Sequence, residues 1–153
     1  MNSLTLYLVI PVLRHGAFHY EISIMPLINI DLIEGRSDDQ VKILLDAVHR
    51  AVVEAFQVPE GDRYQIVNEH RPSRMIVEDT GLGIPRTDKV VMISVTSRPR
   101  TEESKVRFYQ LLAQALQEDC GIDANDLMVS IVTNTDADWS FGHGRAQFLT
   151  GEL

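Results

Sequence analysis

Between residues 27 and 33, apolar side chains recur at every second position, which is the pattern of a strand with one buried face. Ser37 follows and stands three residues before Gln40, the arrangement of a capping box that opens a helix. Apolar residues then recur at helical spacing as far as Phe56, so the sequence predicts a long amphipathic helix. A turn and a second strand from about Tyr64 to Glu69 complete the unit. The apolar positions are Ile28, Ile30 and Leu32 in the strand and Val41, Leu44, Leu45, Val48, Val52, Ala55 and Phe56 in the helix.

The same pattern returns 64 residues further along the chain. Residues 90–96 predict a third strand, and Thr101 stands where Ser37 stood and can cap a second helix. Gly121 closes that helix, and residues 127–133 predict a fourth strand. The apolar positions of the second helix are Val106, Tyr109, Leu112, Ala113 and Leu116.

Two tandem β-α-β units, residues 26–70 and 90–135, indicate one α/β (α+β) domain that spans residues 26–153. Right-handed crossovers predict a four-stranded sheet with both helices on one face. The other face still carries apolar side chains, so we expect other subunits to cover it. Aromatic residues in the tail, residues 136–153, predict a cover over the core or over a cavity.

Besides the tail, two segments lie outside the repeats. Residues 70–89 are rich in proline, glycine and charge, and Met75-Ile76-Val77 within them is a candidate edge strand. Residues 1–25 form an N-terminal extension whose apolar run, residues 4–13, is too short to span a bilayer and makes a poor signal peptide. We interpret the extension as a mis-called upstream start, with an extra strand packed on the domain or a leader removed before Pro26 as alternatives.

The net charge limits the kinds of partner that the protein can bind, and the cysteine content limits the disulfides and zinc sites that it can form. The net charge is −8 and the pI is near 5.0, which argues against nucleic acid or an anionic membrane as a partner. The single cysteine, Cys120, excludes an intrachain disulfide, and no Cys/His spacing resembles a zinc site. A cytoplasmic protein without a metal is therefore expected.

Candidate chemistry concentrates in a few charged residues. Arg98 and Arg100 are two residues apart at a strand end, so their side chains point to the same side and suit a carboxylate; the alternative is a solvated strand end. Asp62 lies in the turn before the second strand, where an acidic residue either serves a site or caps the backbone, and Asp126 is its repeat equivalent. Arg36, the equivalent of Arg100, is a candidate for a second anionic group or for a surface role.

Pro26 gains chemistry only as an amino-terminal residue. Within a chain its nitrogen is a tertiary amide without a proton. If translation starts at Met25 and that methionine is removed, Pro26 becomes a secondary amine with a pKa of about 8, which is suited to act as base, acid or nucleophile.

These features give the chain a family resemblance. Five strings also carry it, namely DRYQIVNEH, EDTGLGI, VTSRPR, DLMVSIV and DADWSFGHGRAQFLTGEL. From Pro26 to Leu153 it resembles the tautomerase superfamily and, within it, the malonate semialdehyde decarboxylases. The resemblance implies a homotrimer that uses no cofactor or metal. It assigns catalytic roles to Pro26, Asp62, Arg98 and Arg100 and a hydrophobic wall to Trp139, Phe141, Phe148 and Leu153.

The implied activity is decarboxylation of malonate semialdehyde to acetaldehyde and CO2. A cation near the carbonyl oxygen would stabilise the enolate that forms, or the proline amine would form an iminium. Two alternatives stay open. One is a tautomerase or hydratase that acts on small 2-oxo or unsaturated acids, and the other is a non-enzymatic oligomeric binding protein whose Pro26 stays blocked.

Overall fold

The computed structural model describes residues 26–153, so the predictions for the extension, residues 1–25, lie outside the described residues. Each repeat forms a strand, a helix and a strand, and a short helix ends the tail. The elements are β1 (Leu27–Ile33), α1 (Asp38–Phe56), β2 (Tyr64–His70), β3 (Val91–Ser97), α2 (Glu102–Cys120), β4 (Leu127–Thr133) and α3 (Gln147–Thr150).

The four strands form one mixed sheet in the order β2-β1-β3-β4. β1 is parallel to β2, β3 is parallel to β4, and the two repeats join through an antiparallel β1–β3 pair. Apolar residues of α1 and α2 pack with the buried strand residues in one core, so both helices lie on the same face of the sheet. The predicted fold class is therefore confirmed.

The repeat predicted from the sequence is confirmed at the level of single residues. A shift of 64 residues carries the bounds of β1 onto those of β3 and the bounds of α1 onto those of α2. Ser37 caps α1 through the predicted capping box, and Thr101 accepts a hydrogen bond from the Ser104 amide at the start of α2. Both helices end on a left-handed residue, Gln57 in α1 and Gly121 in α2.

The buried face of α2 differs from the prediction. Val106 and Tyr109 are 51% and 39% exposed, so their predicted place in the core is wrong. Phe108, Leu112 and Leu116 form the buried stripe instead, because the helix packs against α1 through the rings of Phe108 and Phe56, whose centroids are 4.9 Å apart.

The linker between the repeats contains no strand, so the edge strand predicted at Met75-Ile76-Val77 is wrong. Ile76 is exposed, and residues 75–77 pair with no strand within residues 26–153; a short 3-10 turn at residues 72–74 separates them from β2. The far end of the linker is fixed by Asp126, whose carboxylate accepts hydrogen bonds from the Thr87 amide at 2.6 Å and the Thr87 hydroxyl at 2.7 Å.

The sheet face opposite the helices stays open in the single chain. Tyr64, Ile66, Met128 and Val132 are exposed, and strand alternation places them on this face. We name these four residues the open face. Within residues 26–153 no helix is long and apolar enough to cross a membrane.

Candidate active site

The sheet topology gathers the predicted residues at one edge. β1 and β2 begin at this edge, which places Pro26 and Asp62 there, one and two residues before the respective strands. β3 runs antiparallel to β1 and ends there, so Arg98 and Arg100 follow on the same side. β4 also ends at this edge and leads into the aromatic tail. We call this the proline edge.

Ser97 lies beside Pro26 across the β1–β3 ladder. The antiparallel register pairs Leu27 with Thr96, so the residue before Leu27 lies opposite the residue after Thr96. Pro26 is buried and Ser97 has no exposed surface. The Ser97 hydroxyl accepts a hydrogen bond from Arg100 Nε at 2.9 Å, which connects the proline position to the arginine pair.

Arg100 is held against the core side of the proline edge. Its Nη1 donates to the Phe56 carbonyl at 3.4 Å, and its guanidinium lies 5.0 Å from the centroid of the Phe56 ring. Burial, with a further contribution from the positive charge of Arg98, lowers the pKa of Arg100 to about 10. The environment therefore disfavours the charged form of Arg100.

Arg98 is held by the tail rather than by the core. Its Nε lies 2.6 Å from Asp136 Oδ1, and its Nη2 donates to Asp136 Oδ2 at 3.3 Å. The Nε–H bond of Arg98 does not point at Asp136 Oδ1 at a hydrogen-bonding angle, and it has no hydrogen-bond acceptor among residues 26–153. The short contact between Nε and Oδ1 is therefore ionic. The guanidinium also lies 4.9 Å from the centroid of the Phe148 ring.

The Asp62 side chain is half-buried at the proline edge. Asp62 lies in the turn before β2, where its amide donates to the Pro59 carbonyl at 3.0 Å. Its side chain makes no hydrogen bond or ion pair with another residue of the described part of the chain. Asp126, its repeat equivalent, is buried and bound to Thr87, so the two aspartates have different environments.

Three rings of the tail form one cluster at the proline edge. Trp139 stacks on Phe141 with centroids 5.6 Å apart, and Phe148 meets Phe141 edge-on at 5.4 Å. Buried Gln147 braces the cluster, because its side chain accepts from the Phe141 amide at 3.0 Å and donates to the Gly142 carbonyl at 2.9 Å. The predicted wall residues Trp139, Phe141 and Phe148 therefore lie together, on the side where Arg98 contacts Phe148.

Arg36, which is also predicted for the pocket, lies elsewhere in the single chain. Arg36 follows the far end of β1, and its guanidinium donates to the carbonyls of Ile33 and Lys89. It lines a cavity of ≈ 490 Å³ at the edge opposite Pro26, so the single chain does not bring it to the proline edge. Leu153, the fourth predicted wall residue, follows α3 near the chain end and is exposed, and its place in the wall stays a prediction.

The sequence does not predict the residues that support this site. Ser97, Asp136 and Gln147 lie within the quoted strings VTSRPR and DADWSFGHGRAQFLTGEL, but their types and spacing do not predict their roles, which depend on contacts across strands or within an irregular tail. One signal in the sequence points to Ser97. It is a serine at the end of β3, at a position that strand alternation places on the buried face, and two arginines lie beside it. Within the described residues, no group of three acidic, histidine or cysteine side chains is placed to hold a metal ion.

The arrangement suits a small acid that carries a carbonyl group. Two guanidinium groups offer several donors to a carboxylate, and Asp62 offers an acceptor or a base. An amine at the Pro26 position would lie at the same edge as Asp62 and the two arginines, beside the aromatic cluster. Such a set can bind a carboxylate, move a proton or stabilise an enolate.

Comparison with known protein families gives matches within residues 26–142. The chain matches two families that are each described as tautomerase enzyme, one over residues 26–84 and one over residues 62–142. A probable tautomerase of Bacillus subtilis (strain 168), YrdN, is 60% identical over 129 residues, which are 84% of this chain and 100% of that protein.

Comparison with solved structures gives a more specific likeness. One solved structure is 59% identical to this chain, with a TM-score of 0.81 over 83% of this chain and 98% of that chain. It is a malonate semialdehyde decarboxylase, which was studied as wild type, in inactivated form and with its first residue changed from proline to alanine. The FG41 malonate semialdehyde decarboxylase inhibited by 3-bromopropiolate is 44% identical, with a TM-score of 0.79 over 83% and 97%. A fused 4-OT symmetric trimer, 24% identical with a TM-score of 0.67 over 82% and 98%, shares the fold.

Proposed function

The chain belongs to the tautomerase superfamily, and from this premise we propose that it decarboxylates malonate semialdehyde to acetaldehyde and CO2 with Pro26 as its amino-terminal residue. The observation that carries the proposal is the meeting of Pro26, Asp62, Arg98 and Arg100 at one edge of the sheet. The likeness to malonate semialdehyde decarboxylases at 59% and 44% identity supports it.

A free amine at Pro26 requires the chain to begin there. Met25 precedes Pro26, so translation from Met25 and removal of that methionine would expose the proline nitrogen. The Bacillus relative is covered over its full length by 129 residues, which is the length of residues 25–153 of this chain. This match supports Met25 as the start of the active protein.

The proposed reaction breaks the bond between the carboxylate carbon and its neighbour. Arg98 and Arg100 orient the carboxylate, and the electron pair moves toward the carbonyl carbon as CO2 leaves. The charge that develops on the carbonyl oxygen is stabilised by a prolyl ammonium, or the electrons enter an iminium formed by the proline amine. In the ammonium route, protonation of the carbon then gives acetaldehyde. In the iminium route, formation of the iminium releases water, protonation of the carbon gives the iminium of acetaldehyde, and water hydrolyses it to acetaldehyde and the free proline amine. The aromatic cluster disfavours the carboxylate charge and favours neutral CO2.

A tautomerase or hydratase is the second candidate function. A relative with 60% identity is described as a probable tautomerase, and a neutral Pro26 amine would abstract a proton from a 2-oxo acid in such a reaction. The unpartnered Asp62 carboxylate would direct water to an unsaturated acid in a hydratase. A third alternative follows if Pro26 remains in a peptide bond, namely an oligomeric binding protein without enzyme activity.

We propose a cytoplasmic homotrimer as the working form. The neighbouring 4-OT structure is a trimer, and the open face offers four exposed apolar side chains that other copies would cover. A reduced compartment agrees with the single cysteine of the chain. The substrate is a small carboxylate, and a strongly acidic protein is poorly suited to nucleic acid.

The decisive experiment measures acetaldehyde release from malonate semialdehyde by protein prepared to begin at Pro26. We expect turnover that is lost in Pro26→Ala and in Arg98→Ala or Arg100→Ala, because each removes a group that the reaction needs. Arg107→Ala is the matched control, since Arg107 pairs with Glu54 on the helical side of the molecule and should keep wild-type activity.

Other outcomes would exclude the proposal in distinguishable ways. Turnover of phenylpyruvate enol or an acetylenic acid without acetaldehyde release would favour the tautomerase or hydratase. Full decarboxylation by both arginine variants would remove the proposed mechanism. A mass that shows residues before Pro26 on protein isolated from its own host would favour the non-enzymatic alternative.

A further inference from the structure

Asp136 connects the aromatic tail to the arginine pair. It is the first residue of the 3-10 turn at residues 136–138, which leads the chain from β4 into the tail. Its carboxylate lies along the Nε and Nη2 edge of Arg98, at 2.6 Å from Nε and 3.3 Å from Nη2. Phe148, near the other end of the tail, lies against the same guanidinium. Arg98 is therefore held from both ends of one segment.

This arrangement selects which part of Arg98 meets a ligand. A guanidinium has two edges that each match a carboxylate, one formed by Nε with one Nη and the other by the two Nη atoms. Asp136 lies against the first of these edges, through an ionic contact at Nε and a hydrogen bond from Nη2. The edge formed by Nη1 and Nη2 is the one that remains for a second carboxylate.

We propose that Asp136 is a positioning residue that fixes the orientation of Arg98 and offsets part of its charge toward the substrate carboxylate. This inference rests on the proposed decarboxylase function. Asp136 orients Arg98 through direct contact, and it does not touch the substrate.

The charge offset matters because decarboxylation removes the charge that Arg98 binds. A cation that holds the carboxylate strongly stabilises the bound substrate more than the transition state, in which the charge is leaving with CO2. Asp136 weakens that ground-state attraction while it keeps the guanidinium in place. A reaction that keeps its carboxylate, such as tautomerisation or hydration, gains nothing from this offset.

The test replaces Asp136 with its near-isosteric amide, Asp136→Asn, in protein that begins at Pro26. We expect kcat for malonate semialdehyde to fall roughly tenfold while KM stays equal or falls, because the carboxylate is bound at least as tightly but released less readily. The 3-bromopropiolate concentration for half-maximal inactivation should also fall. Glu54→Gln is the matched control, since it removes the same charge from an Arg–carboxylate pair with Arg107 at 2.5 Å between α1 and α2.

A second readout does not depend on activity. In the ¹⁵N spectrum of the arginine Nε–H groups, the Arg98 signal should move in Asp136→Asn and stay in place in Glu54→Gln. An unmoved Arg98 signal would overturn the inference. A loss of thermal stability in Asp136→Asn together with an Arg98 signal that does not move would reduce Asp136 to a structural anchor of the tail. Wild-type protein without decarboxylase activity would contradict the proposed function, while the Arg98 signal would still test the positioning role.

Discussion

Asp62 and Asp126 occupy equivalent turns of the two repeats, yet only Asp126 is bound by the fold. Thr87 donates its amide and its hydroxyl to the buried Asp126 carboxylate at 2.6 Å and 2.7 Å. The Asp62 carboxylate has no such partner among residues 26–153. The duplicated turn therefore supplies a structural clamp in the second repeat and, in the first, a carboxylate that the described fold does not bind.

This difference predicts opposite effects of the same substitution. Asp126→Ala should lower the free energy of unfolding by about 2–3 kcal/mol, because a buried charged acceptor and its two hydrogen bonds from Thr87 are lost. Asp62→Ala should change it by less than about 0.5 kcal/mol, since the side chain is unpartnered. Chemical denaturation at a fixed protein concentration measures both. Equal effects of the two substitutions would contradict the assignment of the clamp.

The pKa of Arg100 should rise when Arg98 is removed. Burial lowers it to about 10, and the like charge of Arg98 adds to that shift. In Arg98→Ala the burial remains but the repulsion is absent, so the titration of Arg100 moves to higher pH. The chemical shift of arginine Cζ in ¹³C spectra reports this directly, and Arg107→Ala should leave it unchanged. A titration that stays near pH 10 in Arg98→Ala would assign the whole shift to burial.

The lowered pKa of Arg100 determines the direction in which carboxylate binding changes with pH. The Arg100 guanidinium is protonated below a pH of about 10 and loses its charge as the pH rises through that value. Affinity for a carboxylate should therefore be constant on the acid side and fall on the alkaline side, which a binding titration against pH measures. The group disfavours folding most where it is charged, so its contribution to stability becomes more favourable above a pH of about 10.

Gln147 should control the order of the aromatic cluster. Gln147→Ala removes two buried hydrogen bonds to the backbone of Phe141 and Gly142, so we expect the free energy of local opening in the tail to fall by about 1–3 kcal/mol. Faster hydrogen exchange at the Phe141 amide would show it. Gln114→Ala is the control, because Gln114 is exposed on α2 and pairs with Glu118. Unchanged exchange in Gln147→Ala would show that ring packing alone orders the tail.

A charge on the open face should break the proposed trimer. Ile66→Glu places a carboxylate at an apolar position that is 48% exposed in the single chain, and burying it between subunits is unfavourable. Sedimentation analysis should then show monomers. Val106→Glu is matched in exposure, at 51%, but lies on the helical side, so it should remain a trimer. Trimers in both variants would exclude the open face as the contact surface.

Local features are predictable from the sequence because their causes are local. The Ser37 capping box defines the start of α1, and the 64-residue repeat identifies α2 from residue types and their spacing alone. The buried stripe of α2 differs from its prediction because Val106 and Tyr109 are apolar by type, while the packing partner that selects Phe108 is a residue of α1. Periodicity identifies a helix, but the neighbouring element decides which side is buried.

The candidate site is predictable only in part for the same reason. Two-residue spacing at a strand end identifies Arg98 and Arg100, and the sheet places them at the edge where Pro26 and Asp62 lie. Arg36 is a candidate because it is the repeat equivalent of Arg100. The antiparallel join of the repeats sends it to the opposite edge, which spacing along the chain cannot reveal. Asp136 lies in an irregular segment without periodicity, so its contact with Arg98 follows only from the path of the tail.

A chain made of two joined β-α-β units has two matching sheet edges but a single amino terminus. Val90 stands in the second repeat where Pro26 stands in the first, and peptide bonds flank it on both sides. Chemistry that needs a terminal amine is therefore confined to one edge per chain, whatever the number of subunits. The other edge, with Glu34 at the position that corresponds to Arg98, is released from that chemistry and can diverge toward a different task.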